Sequence, residues 1–170
     1  MRRLSDRMRN AAILVMTFAA IAVQAQFALQ DKASGSFEKG PSVVYLFPEQ
    51  VTVPAGKAST MALHFRIGQG LHINSHTPKD AYLIPTTLSI PAASGVRLDG
   101  ATYPAGAEFT LPVDPSTKLS VYTGEFVITA QIVAERGNHL VQGTLHYQAC
   151  DNNACMPPKT IPVAVDVVGK

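Results

Sequence analysis

Beyond Pro41 the chain alternates apolar and polar residues in short runs. Met61, Leu63, Phe65 and Ile67 fall on one parity, as do Phe126, Ile128, Ala130 and Ile132, and again Ile161, Val163, Val165 and Val167. A period of two puts each set on one face of an extended strand, the face that must be buried. The pattern predicts strands over Val43–Phe47, Gln50–Val53, Ser59–Ile67, Leu83–Ile90, Gly95–Leu98, Lys118–Val121, Glu125–Val133, Leu140–Tyr147 and Thr160–Val168. No run after residue 40 sustains the 3.6-residue period of a helix. Twelve prolines and 12 glycines, most of them between the runs, supply turns. Many short strands with this spacing predict an all-β fold, an immunoglobulin-like antiparallel β-sandwich. The stretch Asp99–Ser116 shows no clear strand pattern and leaves two readings open: a lid or binding loop, or a solvated connector or irregular edge strand.

The N-terminus follows a different rule. Arg2, Arg3, Arg7 and Arg9 precede an apolar run from Ala11 to Val23, and Val23-Gln24-Ala25 offers small residues at a cleavage position. Basic head, short apolar middle and small-residue exit are the parts of a secretory signal peptide. The run is too short to cross a hydrocarbon core of ~30 Å comfortably, so cleavage near Ala25 is expected rather than retention as an anchor. Residues 26–40, with Asp31-Lys32-Ala33-Ser34-Gly35-Ser36, read as a flexible leader with little to bury. Residues 41–170 then form one domain of ordinary size.

Charge changes the picture only after that division. The whole chain carries a net charge of +2. Cleavage removes four of its 14 basic residues and one of its 12 acidic ones, leaving the mature chain near −1. No basic stripe remains to bind nucleic acid or anionic lipid.

The chemistry lies in Tyr147-Gln148-Ala149-Cys150-Asp151-Asn152-Asn153-Ala154-Cys155-Met156-Pro157-Pro158. These are the only two cysteines, they sit between two predicted strands, and the exported compartment is oxidising. Asp151-Asn152-Asn153 is turn chemistry, because these side chains tolerate left-handed backbone and bond the local main chain. A hairpin here would bring the two Cα atoms into the ~4.4–6.8 Å range of a disulfide. Such a disulfide closes a very short loop, worth roughly 2 kcal/mol by chain entropy. That is little for a staple, so both uses stand: a reversible redox pair and a structural bond.

The string YQACDNNACMPPKTIPV resembles the active-site hairpin of the N-terminal periplasmic domain of the thiol:disulfide interchange protein DsbD. Gly70-Leu71-His72-Ile73-Asn74, Leu83-Ile84-Pro85-Thr86, Tyr103-Pro104 and Val121-Tyr122-Thr123-Gly124 extend the resemblance over nearly all of residues 41–170. The resemblance implies an immunoglobulin-like fold and an electron relay through Cys150 and Cys155. Its partners would be periplasmic thioredoxin-like proteins or disulfide isomerases, including those of cytochrome c biogenesis. It implies that Cys155 pairs with partners and Cys150 resolves the mixed disulfide. It also implies an aromatic cap over the pair from the Asp99–Ser116 region, with Tyr103 and Phe109 as candidates. The family continues into a membrane domain and a thioredoxin-like domain, whereas this sequence stops at Lys170, so two readings stand: a separate membrane protein as electron donor, or another job for the domain. The expected assembly is a monomer in the periplasm, with no cofactor.

Other residues add less. His72, His76, His139 and His146 have no metal-ligand spacing. His146 alternates away from Leu145 and Tyr147 and is expected near Cys150. With Cys150, Cys155 and Met156 it would make a soft-metal set, the basis of an alternative reading as a Cu(I) carrier. Tyr122 and Tyr147 read as packing residues. A third reading is an immunoglobulin-like adaptor whose disulfide only stiffens a hairpin. Asp151 beside the cysteines is expected to raise the thiol pKa and make the pair slow outside a docked complex.

Overall fold

The structure, a computed structural model, describes residues 41–46, 50–92, 95–112 and 114–170; the expected signal peptide and leader lie outside them. The strands are β1 (Val43–Leu46), β2 (Val51–Val53), β3 (Ala58–Ile67), β4 (His72–Asn74), β5 (Thr87–Ser89) and β6 (Val96–Thr102). They continue with β7 (Ala107–Leu111), β8 (Asp114–Tyr122), β9 (Glu125–Ala134), β10 (Gly137–Tyr147), β11 (Ala149–Cys150) and β12 (Lys159–Gly169). No helix occurs among the described residues.

The parity of the sequence sets the layers. Met61, Leu63, Phe65 and Ile67 of β3 all face inward, as do Phe126, Ile128, Ala130 and Ile132 of β9 and Val163, Val165 and Val167 of β12. Burying each larger side chain of this set contributes about 1.5–3 kcal/mol. Phe65 lies directly across from Phe126. Their rings stack at 5.1 Å, with Tyr122 on the far side of Phe126 at 4.9 Å.

One sheet has the order β1-β3-β9-β6 and a second the order β2-β12-β10-β5. Pairing is antiparallel except where β2 runs parallel to the end of β12. The seven principal strands in chain order are β1, β3, β5, β6, β9, β10 and β12. Lettered A to G, they give an ABED sheet facing a CFG sheet, the immunoglobulin arrangement. The ladder from β10 to β12 runs unbroken from Gly137↔Gly169 to Tyr147↔Lys159. Pro162 is tolerated there because β2 covers only Val167 to Gly169, so β12 is an edge at the proline.

A third sheet, β11-β4-β8-β7, was not legible in the pattern. Asp99–Ser116 takes the irregular edge-strand reading, with β6 and β7 each at the edge of a sheet. β6 runs on to Thr102 past a bulge at Leu98/Gly100, and β7 pairs with β8. β7 has no fully buried residue, so its sequence lacks alternation. β4 fails the test for the opposite reason: His72, Ile73 and Asn74 are all buried. The strand expected over Leu83–Ile90 shortens to Thr87–Ser89. Its first half turns instead onto the chain after β4, where Thr86 N donates to Ser75 O (3.1 Å) and Thr86 Oγ1 to Asn74 O (2.5 Å).

Candidate functional site: a hairpin disulfide at a three-strand junction

β10 ends at Tyr147, whose ring is in the core, and the chain then changes sheets. Gln148 holds the crossing. Its Nε2 donates to Met156 O (3.2 Å) and its Oε1 accepts from Asn74 Nδ2 (3.4 Å). β11 pairs with β4, so Cys150 lies directly opposite His72, and on its other side Cys150 lies opposite Cys155. Residues opposite one another across neighbouring strands present their side chains on the same face. His72, Cys150 and Cys155 therefore form one row across three strands.

The two cysteines are disulfide-bonded with Cα atoms 3.9 Å apart, closer than the expected range. The ladder explains the short separation. Met156 N donates to Ala149 O (2.8 Å) and Asp151 N to Ala154 O (3.0 Å). The cysteine pair sits between these bonds, in the non-hydrogen-bonded position where opposing Cα atoms approach most closely. The turn is held by Asp151, whose Oδ1 accepts from Asn153 N (2.8 Å) and Ala154 N (2.9 Å). No non-glycine residue among those described has a positive φ, so the turn uses the bonding capacity of Asp151 and not the left-handed backbone its composition suggested.

The two sulfur-bearing residues differ in access. Cys150 is 2% exposed, whereas Cys155 lies on the exposed side of the hairpin. A cavity of about 230 Å³ opens beside them, lined by both cysteines, Asp151, His72, Leu111 and Tyr82 among others. Tyr82 is 76% exposed. Elsewhere on β7, Glu108 bonds Lys79 Nζ (3.1 Å) and Lys118 Nζ (3.3 Å). The Lys79 hydrogen bond, helped by Lys118, holds the Glu108 carboxyl below its usual pKa.

The two cap candidates part company. The Phe109 ring packs on His72 at 4.3 Å, one residue removed from Cys150. Tyr103 is committed elsewhere: its ring stacks on His76 at 3.7 Å and its hydroxyl accepts from Leu88 N (2.8 Å). Neither lines the disulfide cavity, where Tyr82, Leu83 and Leu111 stand instead. Sequence reasoning missed those three because nothing in their spacing ties them to the cysteines.

The histidines are dispersed. His146 is exposed on β10 with Nδ1 on Thr160 Oγ1 (3.1 Å), away from the cavity, so the soft-metal set expected around it is not brought together. His139 Nε2 meets Glu135 O (3.0 Å). His72 is the one at the disulfide. It is 2% exposed, and its Nε2 has no hydrogen-bond partner among the described residues. Burial pulls its pKa below the ordinary value, and the Asp151 carboxylate opposes that shift. Tyr122 and Tyr147 are packing residues as expected. The Tyr122 hydroxyl donates to Pro104 O (3.0 Å) and accepts from His76 N (3.1 Å).

Comparison with known families matches residues 44–166 to the family described as thiol:disulfide interchange protein DsbD, N-terminal. The chain belongs to this family. Among solved structures, the DsbD N-terminal domain of Neisseria meningitidis in the reduced form is 18% identical. That match covers 64% of this chain and 77% of that one, with a TM-score of 0.44. The N-terminal periplasmic domain of ScsB from Proteus mirabilis is 12% identical over 73% of this chain, with a TM-score of 0.48. The chain spans 44% of the ScsB structure's length. Comparison with curated proteins found no significant match. Membership of the DsbD N-terminal family supports thiol:disulfide interchange, and the disulfide described above is the group able to carry it.

Proposed function

We propose that this chain is a periplasmic thiol:disulfide interchange module that relays electrons through Cys150 and Cys155 to thioredoxin-like proteins or disulfide isomerases. The observation that carries this reading is the unequal access of a disulfide closed across six residues: Cys155 is exposed and Cys150 is buried. In the reduced domain the Cys155 thiolate attacks a partner disulfide. One partner sulfur leaves as thiolate and a mixed disulfide forms. Cys150 then attacks Cys155 Sγ, the second partner sulfur leaves, and the Cys150–Cys155 bond is restored. Two electrons pass to the partner. An exposed first nucleophile and a buried second one suit this order, because the partner's sulfur must reach only Cys155.

The same reading takes residues 1–25 as an export signal, 26–40 as a leader and 41–170 as the working domain. It assigns the cap to Phe109 rather than Tyr103, on the strength of the Phe109 contact with His72. The test is covalent trapping with a thioredoxin-like disulfide protein. Cys150→Ala accumulates the mixed disulfide through Cys155, because no resolving thiol remains, and Cys155→Ala accumulates far less. Equal trapping by both variants, or trapping by neither, would overturn the assignment.

A further inference from the structure

We propose that His72 is the proton acceptor for Cys150, so that the resolving thiol, the imidazole and the Asp151 carboxylate act as one unit in the second exchange step. The inference rests on the relay reading above and adds a residue to it.

Three observations place the group. His72 and Cys150 are direct cross-strand partners, which puts their Cβ atoms ~4.5–5.5 Å apart on the same face. Both line the cavity beside the disulfide. The His72 ring is held by Phe109 at 4.3 Å and its Nε2 is buried without a hydrogen-bond partner. A buried ring nitrogen left unbonded is costly in a domain whose other buried polar groups are mostly paired. A thiol proton, present only when the disulfide is reduced, would satisfy it. The titratable groups lining the cavity with His72 are Cys150, Cys155, Asp151 and Tyr82, and no lysine or arginine lines it. Phe109, packed against the ring from β7, does not titrate. Burial keeps the imidazole neutral near pH 7, hence able to accept a proton, and Asp151 stabilises the imidazolium once formed.

The step balances. In the mixed disulfide the Cys150 Sγ–H proton passes to His72 Nε2. The Cys150 thiolate attacks Cys155 Sγ, the Cys150–Cys155 bond forms and the bond from Cys155 to the partner sulfur breaks. The electron pair leaves on the partner sulfur, and the imidazolium returns its proton to that thiolate or to water. The oxidant is the partner disulfide.

The size of the effect follows from ionisation. An ordinary thiol of pKa ~8.5 is about 3% thiolate at pH 7, which leaves room for a gain of about thirtyfold. The lower nucleophilicity of a stabilised thiolate takes part of that back, leaving about fivefold. The experiment needs no protein partner. The reduced domain is mixed with the aromatic disulfide dithionitrobenzoate, and release of thionitrobenzoate is followed by stopped flow. The first phase reports attack by Cys155. The second, independent of reagent concentration, reports closure by Cys150. His72→Gln is expected to slow the second phase about fivefold at pH 7, to leave the first within twofold, and to converge on wild type above pH ~9.5, where the thiol ionises unaided. His72→Phe, which keeps a ring against Phe109, is expected to do the same, with folding of both variants checked by circular dichroism. Equal closure rates at pH 7, or a ratio constant across pH, would overturn the proposal. Failure of the relay reading shows separately, as absence of trapping by a protein partner while closure still depends on His72.

Discussion

Reducing Cys150–Cys155 opens a loop of only six residues, since the cysteines are five apart in sequence. Chain entropy assigns such a loop about 2 kcal/mol of stabilisation. The structure makes this an upper figure. The turn keeps the Asp151 bonds to Asn153 N and Ala154 N, and the Met156 N to Ala149 O bond, none of which needs the S–S bond. The core is also independent of it: the buried Met61, Leu63 and Phe65 of β3 and Ile128 and Ile132 of β9 belong to the sheet that lacks both cysteines. A relay must be folded in both redox states, and this arrangement provides for that. The assay is urea denaturation with and without reductant, followed by circular dichroism and tyrosine fluorescence, as the chain has no tryptophan. With a slope of about 1.5–2 kcal/mol per molar urea, reduction is expected to lower the midpoint by about 1–1.3 M at most. A reduced domain unfolded without urea, or destabilised by more than about 4 kcal/mol, would refute the reasoning and favour the adaptor reading, in which the bond is a staple.

Two further predictions separate residues that the sequence could not. Phe109→Ala is expected to speed reduction of the disulfide by dithiothreitol, because the ring covering His72 beside Cys150 is gone. Tyr103→Ala is expected to leave that rate unchanged and instead to cost about 2–3 kcal/mol in urea, through loss of the His76 stack and the Leu88 N bond; the opposite pattern would make Tyr103 the cap. His72 also predicts a pH effect on stability. Its pKa is lower folded than unfolded, so the unfolded chain binds the extra proton. Stability is therefore complete above the unfolded value of about 6.5 and falls as pH drops from there toward the folded pKa. His72→Gln is expected to flatten that part of the profile relative to wild type, and parallel profiles would remove His72 as the cause.

What the residues disclosed follows from how they are buried. β3, β9 and β12 bury one face each, so Met61 to Ile67, Phe126 to Ile132 and Val163 to Val167 announce themselves by parity. β4 is buried on both faces, and of its polar side chains Asn74 bonds Ile84 O through Nδ2 (3.1 Å) while His72 Nε2 has no hydrogen-bond partner among the described residues. Its residues HIN carry no alternation to read. β7 has the reverse problem, with Ala107 and Glu108 exposed and the rest half-buried. The site divides in the same way. Cys150, Cys155 and the turn residue Asp151 are contiguous and were legible. His72 and Leu111 reach the disulfide because β4, β8 and β7 form a third sheet with β11, and Tyr82 reaches it from the turn between β4 and β5; contacts between segments so distant in sequence leave no local trace. Expecting His146 near Cys150 assumed that the strand continued straight; the crossing at Gln148 carries Cys150 to another sheet.

The reduction potential of Cys150–Cys155 tests the central claim most directly. It is measured by equilibrating the domain in dithiothreitol or glutathione buffers of graded composition and quantifying free thiols. A relay pair is expected in the thioredoxin range, about −270 mV or higher, where exchange with thioredoxin-like partners is reversible. A potential below about −300 mV would mark a bond that periplasmic partners cannot cycle, and would contradict the account.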